Sequence, residues 1–366
     1  MVCLTSKFSP RTYVTFAGKL RLVGTAAVLQ DTLTSKSFGN FLPLLGRKVN
    51  DVPEDQWKYF NKKMITLNED GRIKIKMEFN NMGWEITPEQ LLAMQLIKLK
   101  QNSRMHSDIP DIPVGICVPC YLTDPERRAV LDAAKVADLR NVTLINHVDA
   151  LCSYYMVYNK KLPERNKPVK SVAFVSMGYT GTEVAICGFQ KGVVEILSIE
   201  YDANLGGRDF DQAIFEELIV KFEKANDVKI DRHSKRAERI RRECANLKVK
   251  LSANKVSLPI RVDGLGSGKV LQAQMSREEL EVCMSSQNSR VFPQKLCDKL
   301  VLRFRGVLER CLCSSKLKTV DVIELVGGSS RIPILKEMIY KVFSKRPQST
   351  LNAEEVIARG CAIQAS

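Results

Sequence analysis

The chain is poor in the residues from which metal and redox centres are built. Of its 366 residues only three are histidine, His106, His147 and His233. A zinc site, which takes its nitrogen ligands from histidine, therefore has little to draw on. The eleven cysteines are an odd number at irregular spacings, which argues against a disulfide framework and for reduced thiols. Cys117 and Cys120 form a C-x-x-C, but Cys117 falls in the apolar stretch Val114 to Val118 and no second pair stands at metal spacing. Cys311 and Cys313 lie in a helical pattern with one residue between them, so they point in different directions. No apolar run approaches membrane-spanning length, and Met1 to Lys7 contain no signal-peptide core. No membrane role is expected, and a cytoplasmic, possibly also nuclear, location is the default.

The composition that remains, 45% hydrophobic and 27% charged, is that of a soluble globular protein long enough for two lobes. Lys+Arg 56 against Asp+Glu 41 leaves a net charge of +15, which favours anionic partners by non-specific attraction. The basic residues are spread along the chain and are not interleaved with aromatics, so a solvated basic surface is the simpler reading and nucleic acid is not the expected partner. Their densest run, Arg232 to Lys255, carries Ala237, Ile240, Cys244, Leu247 and Leu251 at three- and four-residue steps. That spacing predicts a surface helix with one apolar face.

Strand and helix signals alternate along the chain. After short strands and a helical piece over Ala26 to Lys36, Gly71 to Phe79 reads as a half-exposed strand. Thr87-Pro88-Glu89-Gln90 opens a helix with a cap, a proline in the first turn and a glutamine three residues on. Strand Ile112 to Val118 leads to helix Asp124 to Val136, and strand Val142 to Asn146 to helix Asp149 to Tyr158. The Pro- and Lys-rich stretch Leu162 to Lys170 suits a crossing between lobes. Strands over Ser171 to Ser176, Thr182 to Gln190 and Gly192 to Ile199 follow, then helices over Asp211 to Lys224, His233 to Ala253, Met275 to Gln294 and Lys295 to Leu312. Strand Val320 to Val326 and a closing segment to Gln364 complete the series.

Three stretches carry the functional signal. Val326-Gly327-Gly328-Ser329-Ser330-Arg331-Ile332-Pro333 ends a strand in two glycines and opens a helix. Such a turn lets backbone approach a ligand and aims free N–H groups at it. Asn204-Leu205-Gly206-Gly207-Arg208-Asp209-Phe210-Asp211 and Val118-Pro119-Cys120-Tyr121-Leu122-Thr123-Asp124-Pro125-Glu126-Arg127-Arg128 stand upstream. Together the three resemble the ATPase domain of the heat-shock protein 70 superfamily, nearer its heat-shock protein 110 branch, from about Arg11 to Ser366. The resemblance implies an α/β, two-lobed actin-like (ribonuclease H-like) fold with an incomplete first lobe. It divides the chain into a first lobe over 1–165, to which 345–366 returns, and a second over 166–344, with no peptide-binding domain.

Carried onto single residues, the resemblance meets several replacements. Hydrolysis in this fold needs carboxylates for Mg²⁺, a lysine that orients water and glycine hairpins around phosphate. Met1 to Pro10 do not supply the family's first phosphate hairpin. The lysine position carries Leu42, expected to be buried, the glutamate position carries His147, and the aspartate opening the second hairpin is Ser176. That hairpin retains Gly178 and ends on Glu183. A histidine, neutral or cationic, is a poor substitute for a carboxylate beside Mg²⁺. On the adenosine side, Gly327, Gly328, Ser329 and Arg331 match the family's base-stacking turn, and Lys248 and Ser252 match polar residues of the helix above it, although Ala245 and Val249 replace two partners. Gly206 and Gly207 join these as candidate nucleotide contacts. A turn of this kind can also serve the fold with no nucleotide bound.

The expectation is a catalytically impaired co-chaperone or nucleotide-exchange partner of heat-shock protein 70 chaperones, with ATP or ADP bound weakly at most and Mg²⁺ in doubt. The alternatives are an ATP-dependent folding chaperone with residual ATPase activity, and a basic polyanion-binding scaffold.

Overall fold

The computed structural model describes residues 12–29, 36–80, 82–103, 112–265, 269–277, 279, 294–353 and 355–365. The readings made on Met1 to Pro10 lie outside these residues. The chain forms two compact units, residues 1–157 with 354–366, and residues 158–353. Among the described residues no helix is long and apolar enough to cross a membrane.

In the first unit, β1 (Tyr13–Ala17), β2 (Leu20–Val23) and β3 (Ser37–Gly39) form an antiparallel sheet in the order β2-β1-β3. The helical piece α1 covers Thr25–Leu29, and residues 30–35 of the expected Ala26 to Lys36 helix lie outside the described chain. A second sheet joins β4 (Ile65–Leu67), β5 (Ile73–Phe79) and β6 (Met82–Ile86). In β5 the alternation of the sequence becomes geometry: Ile73, Ile75 and Met77 are buried and Lys76 is exposed.

Helix α2 (Pro88–Asn102) starts on the capping box its sequence spells. The Thr87 Oγ1 accepts from the Gln90 N–H at 3.3 Å, and Gln90 Oε1 accepts from the Thr87 N–H at 2.9 Å. Each bond satisfies a backbone donor that the first turn would otherwise leave bare. Helix α3 (Asp124–Val136) repeats the device, with Glu126 Oε2 accepting from the Thr123 N–H at 2.7 Å. The parallel strands β7 (Val114–Val118) and β8 (Val142–Asn146) are joined through α3. Helix α4 (His147–Tyr158) leaves β8 directly, two residues ahead of the expected Asp149.

In the second unit β9 (Lys170–Met177), β10 (Thr182–Gln190), β11 (Val193–Asp202) and β14 (Val322–Val326) form a sheet in the order β11-β10-β9-β14. Val172 to Val175 and Val184 to Cys187 are fully buried, as expected of strands covered on both faces. Helices α5 (Gly207–Asn226), α6 (Lys235–Ala253), α7 (Gln294–Ser314) and α8 (Pro333–Phe343) contribute to one core with this sheet. The strand pair β12 (Leu258–Val262) and β13 (Leu271–Met275) lies against the same core. Met275 thus ends a strand and does not begin the expected helix, most of which falls outside the described residues. On α7 Cys311 is buried and Cys313 exposed, the opposite directions that their spacing predicts. The last element, α9 (Val356–Ala365), returns to the first unit.

Candidate nucleotide-binding turn

Strands β9 and β14 run parallel with Val326 opposite Ser176, so the segments after them leave one end of the sheet side by side. Gly327 follows with φ +79°, and a Cβ there would lie 2.4 Å from the Met177 carbonyl oxygen. Both the dihedral and the contact demand glycine. The Gly178 N–H donates to the Gly181 carbonyl at 2.9 Å, closing the turn between β9 and β10.

The start of α5 docks on that turn. The Gly207 N–H donates to the Gly178 carbonyl at 3.0 Å and the Arg208 N–H to the Tyr179 carbonyl at 2.9 Å. The approach is so close that a Cβ on Gly206 would stand 2.4 Å from the Tyr179 oxygen. Asp209 caps the helix, its Oδ2 accepting from the Gly206 N–H at 2.8 Å. Gly207 faces the other turn as well, since a Cβ there would lie 2.2 Å from Ser329 Oγ. The structure therefore brings Gly178, Gly206, Gly207, Gly327 and Ser329 together from three separate stretches of sequence.

Lys248 joins them from α6. Its Nζ donates to the Gly207 carbonyl at 2.9 Å and stands 2.7 Å from Asp211 Oδ1, with the lysine only 7% exposed. An ammonium buried to this degree is held by its counter-charge. Ser252 donates its hydroxyl to the Lys248 carbonyl at 2.8 Å, a bond within its own helix. Glu183 is the cross-strand partner of Ser176, and both are buried. Gly328 and Arg331 are exposed. Around Gly328 a Cβ would meet nothing within 4 Å.

Three contributors escaped the sequence reading: Asp211, Asp209 and Arg208, the last of them 2% exposed. Asp209 carried a usable signal, an acid three residues after Gly206 at the capping-box spacing. Asp211 carried none, because its partner lies on another helix.

The basic run of α6 is also less solvent-bound than its composition suggests. Arg241 lies 4.2 Å over the Phe215 ring and donates to the Arg232 carbonyl at 2.7 Å. Burial pushes its guanidinium below the ordinary value. Arg232 forks onto Glu223 with contacts of 2.6 and 3.0 Å. Those hydrogen bonds hold the Glu223 carboxyl below its usual range. Arg277 closes the other end of α6, donating to the Leu251 and Ser252 carbonyls at 2.9 and 3.1 Å.

The two replaced positions of the first unit are set in different surroundings. His147 is buried at the start of α4. Its neighbour Asn146 donates to Asp149 Oδ2 at 2.9 Å and accepts from Arg127 Nη2 at 2.8 Å. Leu42 corrects an expectation: it is 40% exposed, not buried. It opens the short 3₁₀ turn Leu42–Leu44, where Leu44 and the preceding Phe41 occupy the core and leave Leu42 on the outer side.

The family model described as Hsp70 protein matches residues 5–366. The chain belongs to the heat-shock protein 70 family. Among curated relatives it is 31% identical over 354 residues to the dog (Canis lupus familiaris) heat shock 70 kDa protein 4, and 33% identical over 355 residues to heat shock 70 kDa protein 15 of Arabidopsis thaliana. Each of these matches covers 96% of this chain and 41% of the relative. A 97 kDa heat shock protein of Mesocentrotus franciscanus is 32% identical over 354 residues, with 38% of its length covered. The chain thus spans about four-tenths of the length of the curated relatives it matches. The actin-like α/β fold of the family's ATPase domain is the fold of this chain, and its relatives lie in the heat-shock protein 70/110 group. Nucleotide binding is a property of that family domain.

Proposed function

We propose that this protein is a pseudo-ATPase of the heat-shock protein 70 family, a co-chaperone that docks on a heat-shock protein 70 partner and affects its nucleotide exchange. The observation that carries this reading is the pairing of Ser176 with Glu183 at the mouth of β9 and β10. The glycine junction beside it is complete, yet the position that should open the phosphate hairpin with a carboxylate presents a hydroxyl. A hard cation such as Mg²⁺ is held by carboxylate oxygens and water, and this donor set does not fit it well. The glycines at 206, 207 and 327 answer contacts with the protein's own atoms, so they do not require a nucleotide. Gly328 does offer open space beside an exposed Arg331, which fits weak recognition of adenosine through ATP or ADP.

The replacements at Leu42 and His147 support the same reading, because neither side chain supplies the lysine or the carboxylate of the family pattern. Use of Arg232, Arg241 and Lys248 in internal contacts counts against a dedicated polyanion-binding face. A cytoplasmic location, possibly also nuclear, goes with this function. The test pairs two assays on the purified chain: phosphate release from Mg·ATP, and release of labelled ADP from a heat-shock protein 70 ATPase domain. Release of ADP accelerated without phosphate production supports the proposal. Phosphate release above background would return the chain to the active chaperones, and no effect on ADP with no capture of the partner would remove the co-chaperone role.

A further inference from the structure

One pair of thiols in the first unit, the half-buried Cys117 and the buried Cys361, is built differently from Cys244 and Cys311. Strand β7 carries Gly115 and Cys117 two residues apart, on one face of the strand. That face is where α9 lies: a Cβ placed on Gly115 would stand 3.2 Å from the Cys361 Cβ and 2.9 Å from its carbonyl oxygen. Glycine at 115 is what allows the helix to come so near. On α9, Ile357, Cys361 and Ala365 recur at four-residue steps, and all three pack in one cluster with Cys117 and Ile145. Cys117 and Cys361 thus meet in one packed cluster where β7 and α9 touch.

We propose that Cys117 and Cys361 are an oxidation site, converted by a peroxide into a disulfide that staples α9 to β7. Two cysteines packed in one cluster across a junction this close can bring their sulfurs to the roughly 2.05 Å of an S–S bond by side-chain rotation. The hydrogen bond from Cys117 lowers the Cys361 thiol from its ordinary value, against the opposing effect of burial, and so favours the thiolate that attacks an oxidant. Elsewhere burial works the other way, raising the Cys244 thiol and pushing Cys311 up to about 11. Cys361 gives up its proton and attacks one peroxide oxygen. The O–O bond breaks, sulfenic acid forms at Cys361, and the departing oxygen takes up that proton. The Cys117 sulfur then attacks the sulfenic sulfur, and the hydroxyl leaves as water with the Cys117 proton. The two thiols lose two electrons and the peroxide gains them. The site belongs to the first unit and the glycine junction to the second, and the oxidation needs no bound nucleotide.

The test treats the purified full chain with hydrogen peroxide, alkylates the remaining thiols and maps the peptides by mass spectrometry. The expected result is a cross-linked peptide joining Cys117 to Cys361, formed before Cys244 or Cys311 is modified, together with a rise in melting temperature, both reversed by a dithiol reductant. Cys120→Ser keeps the link, and Cys117→Ser or Cys361→Ser abolishes it. Mapping of the unaltered chain decides the matter even where a variant folds poorly. Free alkylation of both thiols after peroxide treatment, or a Cys117–Cys120 link in their place, would overturn the proposal.

Discussion

Gly327 in one unit and Gly360 in the other are fixed by the same physics, and the likeness bears on how motif glycines are read. At Gly327 a Cβ would lie 2.4 Å from the Met177 carbonyl oxygen, and at Gly360 it would lie 1.9 Å from that of Ala150. The first belongs to a stretch that resembles an adenosine-binding turn. The second lies where α9 crosses α4, outside the three stretches that carry the functional signal. A glycine at a motif position can therefore be required by backbone packing alone, and Gly328, one residue along and open to space, is the better reporter of a ligand.

The comparison can be broken or sharpened by substitution. The largest effect is expected at the ion pair that locks the junction: Asp211→Ala leaves the Lys248 ammonium buried without its carboxylate and should cost about 3–5 kcal/mol. Denaturant unfolding measures this, and the double variant Asp211→Ala, Lys248→Met should recover most of the loss. Next come Gly327→Ala and Gly360→Ala, each expected to cost about 2–3 kcal/mol from overpacking against a carbonyl, with strain from positive φ added at 327. Equal losses with and without nucleotide would place both glycines in the packing class. A loss at 327 confined to the nucleotide-bound protein would separate them.

A smaller and pH-dependent effect belongs to Glu223. Its carboxyl is held below the ordinary value of 4.5 by Arg232, so its contribution is present above that value and lost as pH falls through the lower folded one. Glu223→Gln should cost about 1.5 kcal/mol at pH 7, and the difference from the parent should shrink on acidification. A constant difference across that range would show that packing, not charge, is at work. The smallest effect is expected at Gly328→Ala, within about 0.5 kcal/mol of the parent in stability. Weakened ADP binding in this variant would assign the open space at Gly328 to the nucleotide.

Local signals made much of the fold legible in the sequence. The cap at Thr87 was readable because its partner lies three residues away, and β10 was readable because burial on both faces leaves an apolar run. Leu42 misled because a leucine is expected inside, and a 3₁₀ turn with Phe41 and Leu44 already in the core reversed it. The commitment of Lys248 to Asp211 was invisible for a different reason: α5 and α6 must pack before the two charges meet. Glycines 206, 207, 327 and 328 could be named from sequence, but what each of them touches is a tertiary fact.

The central claim is that the junction serves the fold first and holds nucleotide weakly, without productive Mg²⁺. Isothermal titration of the folded chain with ADP and with Mg·ATP tests it most directly. The account predicts weak or absent heat with ADP and no gain in affinity when Mg²⁺ is added. Tight, saturable binding of Mg·ATP that depends on the metal would contradict it.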